Sequence, residues 1–563
     1  MEVDPVHLQP NDVVPPAEVD VAQLTQMLNA MFAEGLEGLS DPTPVPGSVP
    51  AASAGRIQLP AEVVATDQTT QQLASLPSAS EFYPPLSGVP VPSTPYYFIG
   101  EASSFDSSVA RGADELRAVT ELAGDSQRGT EAPGPTGGTQ YYFVQQSSAP
   151  TAIEQPGFDV EWVRRDFPIL AERVNGHQLV WFDNAATTQK PQAVIDRLAW
   201  YYAHENSNIH RAAHELAARS TDAFEAARGK VARFIGASSA NDIVFVRGTT
   251  EGINLVAQSW GRSNITAGDE IVISHLEHHA NIVPWQQLAA EKGARLRVIP
   301  VDDDGQIVLS ALGELLNDRT KMVAVAQVSN ALGTIVPVRQ VVEMAHAAGA
   351  CVLVDGAQAI AHTRVNVQTL DPDFYVASGH KIYGPTGIGA LYGKPEVLEK
   401  MPPWQGGGNM IRHVTFEGST FQDPPGRFEA GTGNIADAIG FGTALDYLER
   451  VGIDNVERYE HDLLDYATRQ MLGVNGLHMI GTAPEKASVL SFVLDRYRPD
   501  EVGTALNREG IAVRAGHHCA QPILRRFGYE TTVRASLAMY NTRTEVDQFV
   551  GVLHRLAAER PAR

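Results

Sequence analysis

The amino-acid sequence predicts an α/β fold with a mostly parallel sheet for the segment that begins near residue 156. Short apolar runs alternate there with amphipathic stretches, and several of the runs end in small or polar residues. This alternation is typical of a parallel sheet covered by helices, where ligands bind beyond the carboxyl ends of the strands. The predicted strands are 243–250, 270–274, 295–302, 322–330, 351–358 and 374–381, and the predicted helices include 284–293 and 338–348.

The segment that precedes this alternation has a different composition. Residues 1–150 carry 18 Asp and Glu but only 4 Lys and Arg, a net charge of −14, and they hold 18 of the 35 prolines. A chain of this kind buries too little apolar surface to offset the entropy of ordering its backbone. We therefore predict that residues 1–155 form a disordered, acidic, Pro-rich extension.

Three short segments of this extension are candidates for docking motifs. Residues 20–34 place apolar side chains on one helical face, and Asp20 is a candidate for the helix cap. Two aromatic tetrapeptides, 96–99 and 141–144, lie among Pro, Ser, Gly and Thr, far from any local core. Such segments often fold on binding another protein. The alternative is that they pack on the surface of the folded part of the same chain.

The folded part is predicted to divide into two units. Residues 156–440 contain the strand and helix alternation, and their first stretch is expected to contribute to the second unit. Residues 441–563 have a mixed α+β pattern, which indicates a smaller C-terminal unit.

Composition disfavours several functional classes. The sequence has no apolar run long enough for a transmembrane helix, and its acidic start predicts no secretory signal. The net charge of −23 disfavours nucleic acid as a partner. With two cysteines there is no disulfide framework, which favours a cytoplasmic location. No Cys/His cluster has zinc-site spacing, so no metal site is predicted.

The first candidate site residues follow the strand at 243. Gly248, Thr249 and Thr250 form a small-residue turn that opens a helix. Free backbone N–H groups and the positive end of the helix dipole make such a turn a seat for a phosphate group. Many turns between a strand and a helix look similar, so this feature alone is also compatible with an ordinary connection.

Two consecutive strands end in residues that suit pyridoxal phosphate (PLP). Asp355 ends a very apolar strand, and Lys381 closes the next strand within Ser-Gly-His-Lys. A lysine in a desolvated site loses affinity for its proton and becomes a nucleophilic amine. Asp355 would keep the ring nitrogen of the cofactor protonated; the alternative for Asp355 is a helix cap or a salt bridge. His278 also follows a strand, and it is either structural or a ring that stacks on the cofactor.

These residues belong to a longer pattern that identifies a family. Residues 157–560 resemble the Suf-type (group II) cysteine desulfurases, a branch of the class V, fold-type I PLP enzymes. The resemblance implies a large domain with a seven-stranded, mostly parallel sheet, a small α+β C-terminal domain and a homodimer. The stretches that carry it, in the family's order, are WFDNAATTQKP (181–191), FVRGTTEGINLVA (245–257), EHHANIVPWQ (277–286), VSNALGTIVP (328–337), VDGAQ (354–358), SGHKIYGPTGIGALYG (378–393), RAGHHCAQP (514–522) and VRASLAMYNT (533–542).

The resemblance implies a cofactor role for residues at matching positions. Lys381 would bind PLP covalently, Asp355 would pair with the ring nitrogen, His278 would stack on the ring and move protons, and Gln358 would bond the phenolic oxygen. The phosphate would be held by Thr249, Thr250, Ser378 and His380, with Thr432 supplied by the other subunit. Around Thr432 the chain reads A-G-T-G-N, where the family more often has A-G-T-P-N.

The same resemblance implies residues for the substrate. Asn330 and Arg534 would bind the carboxylate of L-cysteine, arginine through a bidentate contact. Arg514 and His210 are further substrate-binding candidates, and His210 lies with Asn208 and Arg211 in a segment expected to approach the neighbouring subunit.

Cys519 separates desulfurases from other members of this group. Arg514, His517 and His518 precede it, and nearby cationic or donor groups favour the reactive thiolate. As a lone cysteine it is alternatively an inert small apolar residue, which is how we interpret Cys351 in its apolar strand. The expected reaction gives L-alanine and a persulfide on Cys519 for a sulfur-acceptor protein. The alternatives are a selenocysteine lyase, another class V enzyme, or a packaged or scaffolding protein.

The N-terminal extension resembles those of cysteine desulfurases that are cargo of encapsulin nanocompartments. Both are acidic and Pro-rich and contain short motifs of the Tyr-Tyr-Phe type. The resemblance implies an encapsulin shell as partner of residues 1–155 and a location inside the compartment within the cytoplasm. The alternatives are recruitment of a sulfur acceptor or a contribution to solubility.

Overall fold

The structure is a computed structural model that describes residues 158–210 and 213–559. The predicted disordered extension, its three candidate docking motifs and Arg211 lie outside the described residues.

A seven-stranded sheet forms the centre of the described fold. Six strands run in the same direction, and Gly389–Gly393 is antiparallel to both of its neighbours. This confirms the predicted α/β fold with a mostly parallel sheet. From one edge to the other, the strands are Ile243–Val246, Gly389–Gly393, Phe374–Ser378, Cys351–Asp355, Thr320–Ala326, Glu270–Ser274 and Arg295–Ile299.

Both faces of this sheet are buried, as expected when helices cover a parallel sheet. Alternate residues of one strand enter different cores: Val352 and Val354 pack in one cluster, and Leu353 packs in the other. The longer helices of the described residues are Gln192–His204, Glu215–Phe234, Thr249–Val256, Val283–Lys292, Leu309–Leu315, Val338–Ala347, Ile435–Val451, Ile453–Leu472, Pro499–Arg508 and Arg543–Ala558, and the shorter ones are Val160–Arg165, Arg262–Asn264, Val367–Leu370, Pro395–Leu398 and Gln521–Arg526.

A second, antiparallel sheet organises the C-terminal part around its own apolar cluster. Its strands, in spatial order, are Leu477–Ile480, Val489–Leu494, Thr532–Ser536 and Arg514–Gly516. The short strand Ile511–Ala512 pairs in parallel with Val180–Trp181, so an early segment of the described chain joins this part. The predicted unit boundary at 440 falls inside the helix Ile435–Val451, which contacts the helices Gln192–His204 and Glu215–Phe234.

Two hairpin-like pairs lie outside these sheets. Arg173–Val174 pairs with His177–Gln178, and Ile411–Val414 pairs with Ser419–Phe421. Within the described ranges, no helix combines the length and apolar character that crossing a bilayer requires.

Candidate functional site

A cavity of about 180 Å³ opens at the carboxyl ends of the central strands. This is the edge at which an α/β sheet is expected to bind its ligand. Most of the candidate residues from the sequence come together here, although they span some 285 positions of the chain. Those that line the cavity are Thr249, Thr250, His278, Asn330, Asp355, Gln358, Ser378, His380, Lys381, Arg514 and Arg534.

One end of the cavity is a cradle of small polar groups. The helix Thr249–Val256 begins directly after Gly248, whose φ of 146° favours glycine. The Thr249 N–H donates to the Ser378 hydroxyl at 2.9 Å, and the Ser378 and Thr249 hydroxyl oxygens lie 2.9 Å apart. A Cβ at Gly389 would lie 2.7 Å from the Gly248 Cα, so glycine is required for this close approach. Hydroxyls at a helix N-terminus suit an anionic group.

Asp355 and Lys381 place a carboxylate and an amine in the same buried environment. Oδ1 of Asp355 accepts a hydrogen bond from the Ala357 N–H at 2.9 Å. Burial raises the pKa of Asp355, and the Ala357 N–H and Lys381 oppose that rise. Burial also lowers the pKa of Lys381 to about 8, against the opposing effect of Asp355. The amine is therefore closer to its nucleophilic, neutral form than an exposed lysine is.

His278 is a neutral imidazole in this environment. Burial, with the nearby charge of Lys381, lowers its pKa to about 3. Its Nδ1 accepts a hydrogen bond from the Ala280 N–H at 3.0 Å, which assigns the ring proton to Nε2. A neutral ring with a fixed tautomer suits stacking and proton transfer better than a charged one.

Arg534 and Asn330 leave unsatisfied polar atoms beside the cavity. The fully buried Arg534 donates to the Asn330 carbonyl at 2.9 Å and to Oδ1 of Asp183 at 3.0 Å. Nδ2 of Asn330 donates to the His518 carbonyl at 2.6 Å. Nε of Arg534 and Oδ1 of Asn330 have no partner among the described residues. A buried cation with a free donor indicates a site for an anionic ligand group.

Gln358 and His380 also have defined contacts. Nε2 of Gln358 donates to the Ala185 carbonyl at 2.6 Å, which fixes the orientation of the amide. The His380 carbonyl accepts hydrogen bonds from the Thr188 hydroxyl at 3.1 Å and from the Lys190 amine at 3.3 Å. Burial and the charge of Lys381 lower the pKa of the His380 ring to about 4.

Cys519 lies beside the residues that line the cavity, on a tight loop. His518 and Cys519 both have a φ of 54°, an uncommon conformation for residues other than glycine. Nη2 of Arg514 lies 3.9 Å from Sγ of Cys519, and the Cys519 carbonyl accepts a hydrogen bond from the His279 N–H at 2.7 Å. The half-buried sulfur is therefore held near a cation.

Cys351 has a contrasting environment. It begins a central strand, and burial together with Asp373 raises its pKa well above the usual thiol range. A thiol of this kind is a poor nucleophile at neutral pH.

Two candidates are not brought to the cavity. Thr432 and His210 are exposed in the described chain. Thr432 lines a separate surface cavity of about 320 Å³, and Asn208 from the segment of His210 lines it too.

Several residues with buried polar contacts in or near the site were not selected from the sequence. Asp183 binds Arg534, and His518 lines the cavity with its Nε2 2.8 Å from the Thr532 hydroxyl. Glu277, fully buried, accepts hydrogen bonds from Ser274 and Asn281, and burial raises its pKa to about 7. The sequence does contain a signal for Asp183 and Glu277. Each is an acidic residue near an apolar run, and each lies in one of the stretches that resemble the family.

Comparison with known proteins gives a consistent set of matches. The family model described as "Aminotransferase class-V" matches residues 180–549. The chain is 65% identical over 400 residues to a cysteine desulfurase of Synechococcus elongatus, a match that covers 71% of this chain and 64% of that protein. It is 52% identical over 400 residues to a cysteine desulfurase of Dickeya dadantii, which covers 71% of this chain and 97% of that protein.

A solved structure has the same fold. The crystal structure of a cysteine desulfurase from Escherichia coli has a TM-score of 0.66 and 40% sequence identity, and the match covers 71% of this chain and 98% of that chain. The chain spans 64% to 66% of the length of three curated relatives that it matches.

Proposed function

The chain belongs to the class V aminotransferase family of PLP enzymes, among the cysteine desulfurases, and on that premise we propose that it transfers the sulfur of L-cysteine to Cys519 and releases L-alanine. The observation that carries the proposal is the position of Cys519 beside a single cavity that contains Lys381, Asp355 and Arg534.

The residues of the cavity fit PLP. Lys381 provides an amine with a depressed pKa, Asp355 provides a buried carboxylate for a ring nitrogen, and the Thr249 and Ser378 hydroxyls provide a phosphate cradle at a helix N-terminus. Thr250, His380, His278 and Gln358 line the same cavity and complete the proposed cofactor site. When bound there, PLP supplies an electron sink for the bonds to the α-carbon of an amino acid.

Arg534 and Asn330 bind the substrate carboxylate in this proposal. The unpartnered Nε of Arg534 donates to it, and the charge of the guanidinium strengthens that bond. The amide of Asn330 is oriented by its bond to the His518 carbonyl. Arg514 lines the same cavity and adds a second positive charge.

Lys381 and His278 move the α-proton. Nζ of Lys381 can accept it because burial favours the uncharged amine. Neutral His278 carries a proton on Nε2, and its Nδ1 already accepts a backbone hydrogen bond. The ring can therefore exchange a proton only through Nε2.

Cys519 then receives the sulfur. Its Sγ, as thiolate, attacks the sulfur of the substrate; a sulfur–sulfur bond forms, the carbon–sulfur bond breaks, and its electron pair returns to the β-carbon, which a proton completes to alanine. Arg514, 3.9 Å away, offsets the negative charge on Sγ. The resulting persulfide passes to an acceptor thiol.

The first test is alanine release from L-cysteine by the PLP-loaded chain in the presence of a reducing thiol. Cys519→Ala and Lys381→Ala are expected to abolish release, and Cys351→Ala is the matched control that retains it because Cys351 lies in an inert environment. Equal activity of Cys519→Ala would contradict the persulfide route. Selenide release that survives in Cys519→Ala would favour a selenocysteine lyase instead.

We place the chain in the Suf-type branch. The support is the compact loop of Cys519, where two consecutive residues have positive φ and the thiol is half-buried. A short loop cannot carry the persulfide far, so a sulfur-acceptor protein must approach it. A purified Suf-type acceptor is expected to raise the rate of alanine release, whereas an unchanged rate would argue against this branch.

The functional unit is a homodimer in this proposal, with 156–440 as the cofactor-binding domain and 441–563 as the small domain. Thr432 and Asn208 share a surface cavity, and Trp200 and Tyr202 nearby in the sequence are strongly exposed. A second subunit would cover these aromatics and receive Thr432 and His210 at its own cavity. Sedimentation of the purified chain is expected to give two copies, and a fully active monomer would contradict the proposal.

Residues 1–155 direct the enzyme into an encapsulin nanocompartment in the cytoplasm. The support is their composition and their aromatic tetrapeptides. Co-expression with a candidate shell protein is expected to give co-purification that is lost when residues 1–150 are deleted. Co-purification that survives the deletion would refute this docking. If a sulfur acceptor instead speeds turnover only when the extension is present, the function of residues 1–155 would be acceptor recruitment.

A further inference from the structure

Three side chains with metal-binding atoms converge on the sulfur of Cys519. His279, His517 and Cys519 each offer one ligand atom, and these atoms lie within 4.8 Å of one another. We propose that these three residues form a Zn²⁺ site that holds the sulfur of Cys519 as a metal-bound thiolate. No zinc-site spacing is visible in the sequence because His279 lies 240 positions before Cys519.

Backbone contacts hold the two segments of this site together. The His279 N–H donates to the Cys519 carbonyl at 2.7 Å, which links the turn after Glu270–Ser274 to the cysteine loop. The two imidazole rings lie 5.6 Å apart between centroids, with 32° between their planes. The ligands are therefore assembled in the folded chain, without a change in the backbone.

One nitrogen of each imidazole is unprotonated and is occupied by a backbone N–H, which a metal would have to displace. Nδ1 of His517 accepts from the Cys519 N–H at 3.0 Å, and Nε2 of His279 accepts from the Gln521 N–H at 3.2 Å. Both accepting nitrogens are unprotonated and lie against the backbone of the cysteine loop. An unprotonated imidazole nitrogen is the form that binds a metal.

The geometry requires a small adjustment. Bond lengths of about 2.3 Å to sulfur and about 2.0 Å to nitrogen place the ligand atoms of a tetrahedral zinc about 3.5 Å apart. The exposed ring of His517 can rotate toward Sγ to reach that separation. On binding, the thiol proton leaves to solvent as the zinc–sulfur bond forms, and no group is oxidised or reduced. The backbone N–H groups of Cys519 and Gln521 lose their imidazole acceptors and donate to water instead.

The proposed site lies outside the cofactor cavity. His279, His517 and Cys519 do not belong to the residues that line the cavity, whereas the preceding His278 does. Three protein ligands leave the fourth position of a tetrahedral zinc to water or to a small thiol. Zinc would therefore bind the sulfur of Cys519 without displacing a group bound to Lys381. The consequence that zinc blocks sulfur transfer rests on the proposed function, but the binding itself does not.

The binding test is a titration of the full PLP-loaded chain with Zn²⁺ in a phosphine reductant, in competition with a chromogenic zinc chelator. One zinc per chain is expected, with affinity at least about tenfold lower in Cys519→Ser and in His517→Ala. The control His554→Ala, at an exposed position of the helix Arg543–Ala558, is expected to bind zinc as the unmodified chain does. Equal affinity in all three variants, or no stoichiometric binding, would overturn the proposal.

A second measurement separates this site from the proposed function. Zinc is expected to slow alkylation of Cys519 by iodoacetamide, followed by peptide mass spectrometry, while the visible absorbance of PLP stays unchanged. Alkylation of Cys519 at the same rate with saturating zinc would contradict metal binding to the sulfur. Inhibition of alanine release by zinc, reversed by a chelator, tests the consequence alone and depends on the desulfurase activity.

Discussion

Nη2 of Arg514 lies 3.9 Å from Sγ of Cys519, at the beginning of the loop that carries the cysteine. A cation at this distance stabilises negative charge on sulfur, the form in which sulfur acts as a nucleophile. The interaction is worth about 1 kcal/mol where solvent reaches the pair.

Replacement of Arg514 by methionine is expected to slow the reaction of Cys519 with iodoacetamide about fivefold at neutral pH. Methionine keeps the length of the side chain and removes its charge. The rate is read by mass spectrometry of the Cys519 peptide, and the buried Cys351 is expected to stay unmodified as a check that the chain is folded. A rate equal to that of the unmodified chain would mean that the guanidinium does not act on the sulfur.

Arg534→Lys is expected to raise KM for L-cysteine by about tenfold to a hundredfold. Lysine retains the charge but has no donor at the position of Nε, and a hydrogen bond to a charged group is worth about 1.5–3 kcal/mol. Steady-state kinetics give KM, and visible absorbance verifies PLP binding. The control is Arg525→Lys, whose arginine is exposed and pairs with Glu530. A fall in kcat with unchanged KM would remove Arg534 from the carboxylate site.

Covalent binding of PLP by the cofactor-free chain is expected to quicken as the pH rises through about 8, because burial lowers the pKa of Lys381 to that value. The carboxylate of Asp355 stabilises the charged amine, so Asp355→Asn should move the midpoint to lower pH. The rate is followed by the absorbance of lysine-bound cofactor across a pH series. Asp371→Asn, at an exposed carboxylate paired with Lys394, should leave the midpoint in place. A midpoint that rises in Asp355→Asn would reverse the predicted electrostatics.

His518 is expected to make the folded chain less stable in acid. Burial lowers its pKa to about 2, whereas the pKa of a histidine in the unfolded chain is about 6.5. Between these values the unfolded chain binds a proton that the folded chain does not, so the free energy of unfolding falls as the pH drops below about 6.5. His278 and His380 contribute in the same direction.

His518→Gln should reduce that pH dependence by about 1.4 kcal/mol per pH unit between about pH 4 and about pH 6. Glutamine stays uncharged and can still bond the Thr532 hydroxyl. Urea unfolding at several pH values measures the slope, and His554→Gln at an exposed position is the comparison. An unchanged slope in His518→Gln would show that this residue does not titrate on unfolding.

The residues at the carboxyl ends of the central strands can be identified from the sequence alone. Strand ends can be read from a one-dimensional pattern, because a parallel sheet gathers them at one edge whatever the strand order. Thr249, Asp355 and Lys381 lie at the carboxyl ends of three of these strands and line one cavity. The antiparallel strand Gly389–Gly393 escaped notice because its glycines weaken the strand pattern, although close packing against Gly248 requires one of them.

Contacts between segments that are distant in the sequence could not be predicted from local sequence patterns. The bond from Arg534 to Asp183 joins residues 351 positions apart, and His279 meets Cys519 across 240 positions. The orientation of Gln358 toward the Ala185 carbonyl likewise depends on a loop from the early part of the described chain. Such contacts are determined by tertiary packing, so the spacing of residues along the chain does not predict them.

The pairing of Val180–Trp181 with Ile511–Ala512 also has a consequence for biosynthesis. A ribosome delivers the amine of Lys381 and the carboxylate of Asp355 long before it delivers Arg514, Cys519 and Arg534. The nascent chain therefore contains Val180–Trp181 before the strand that pairs with it has been made. Its cofactor cavity stays incomplete until translation has passed residue 534. A messenger cut short between the codons of residues 381 and 519 would yield a chain that has the lysine for the cofactor but lacks the sulfur-accepting thiol.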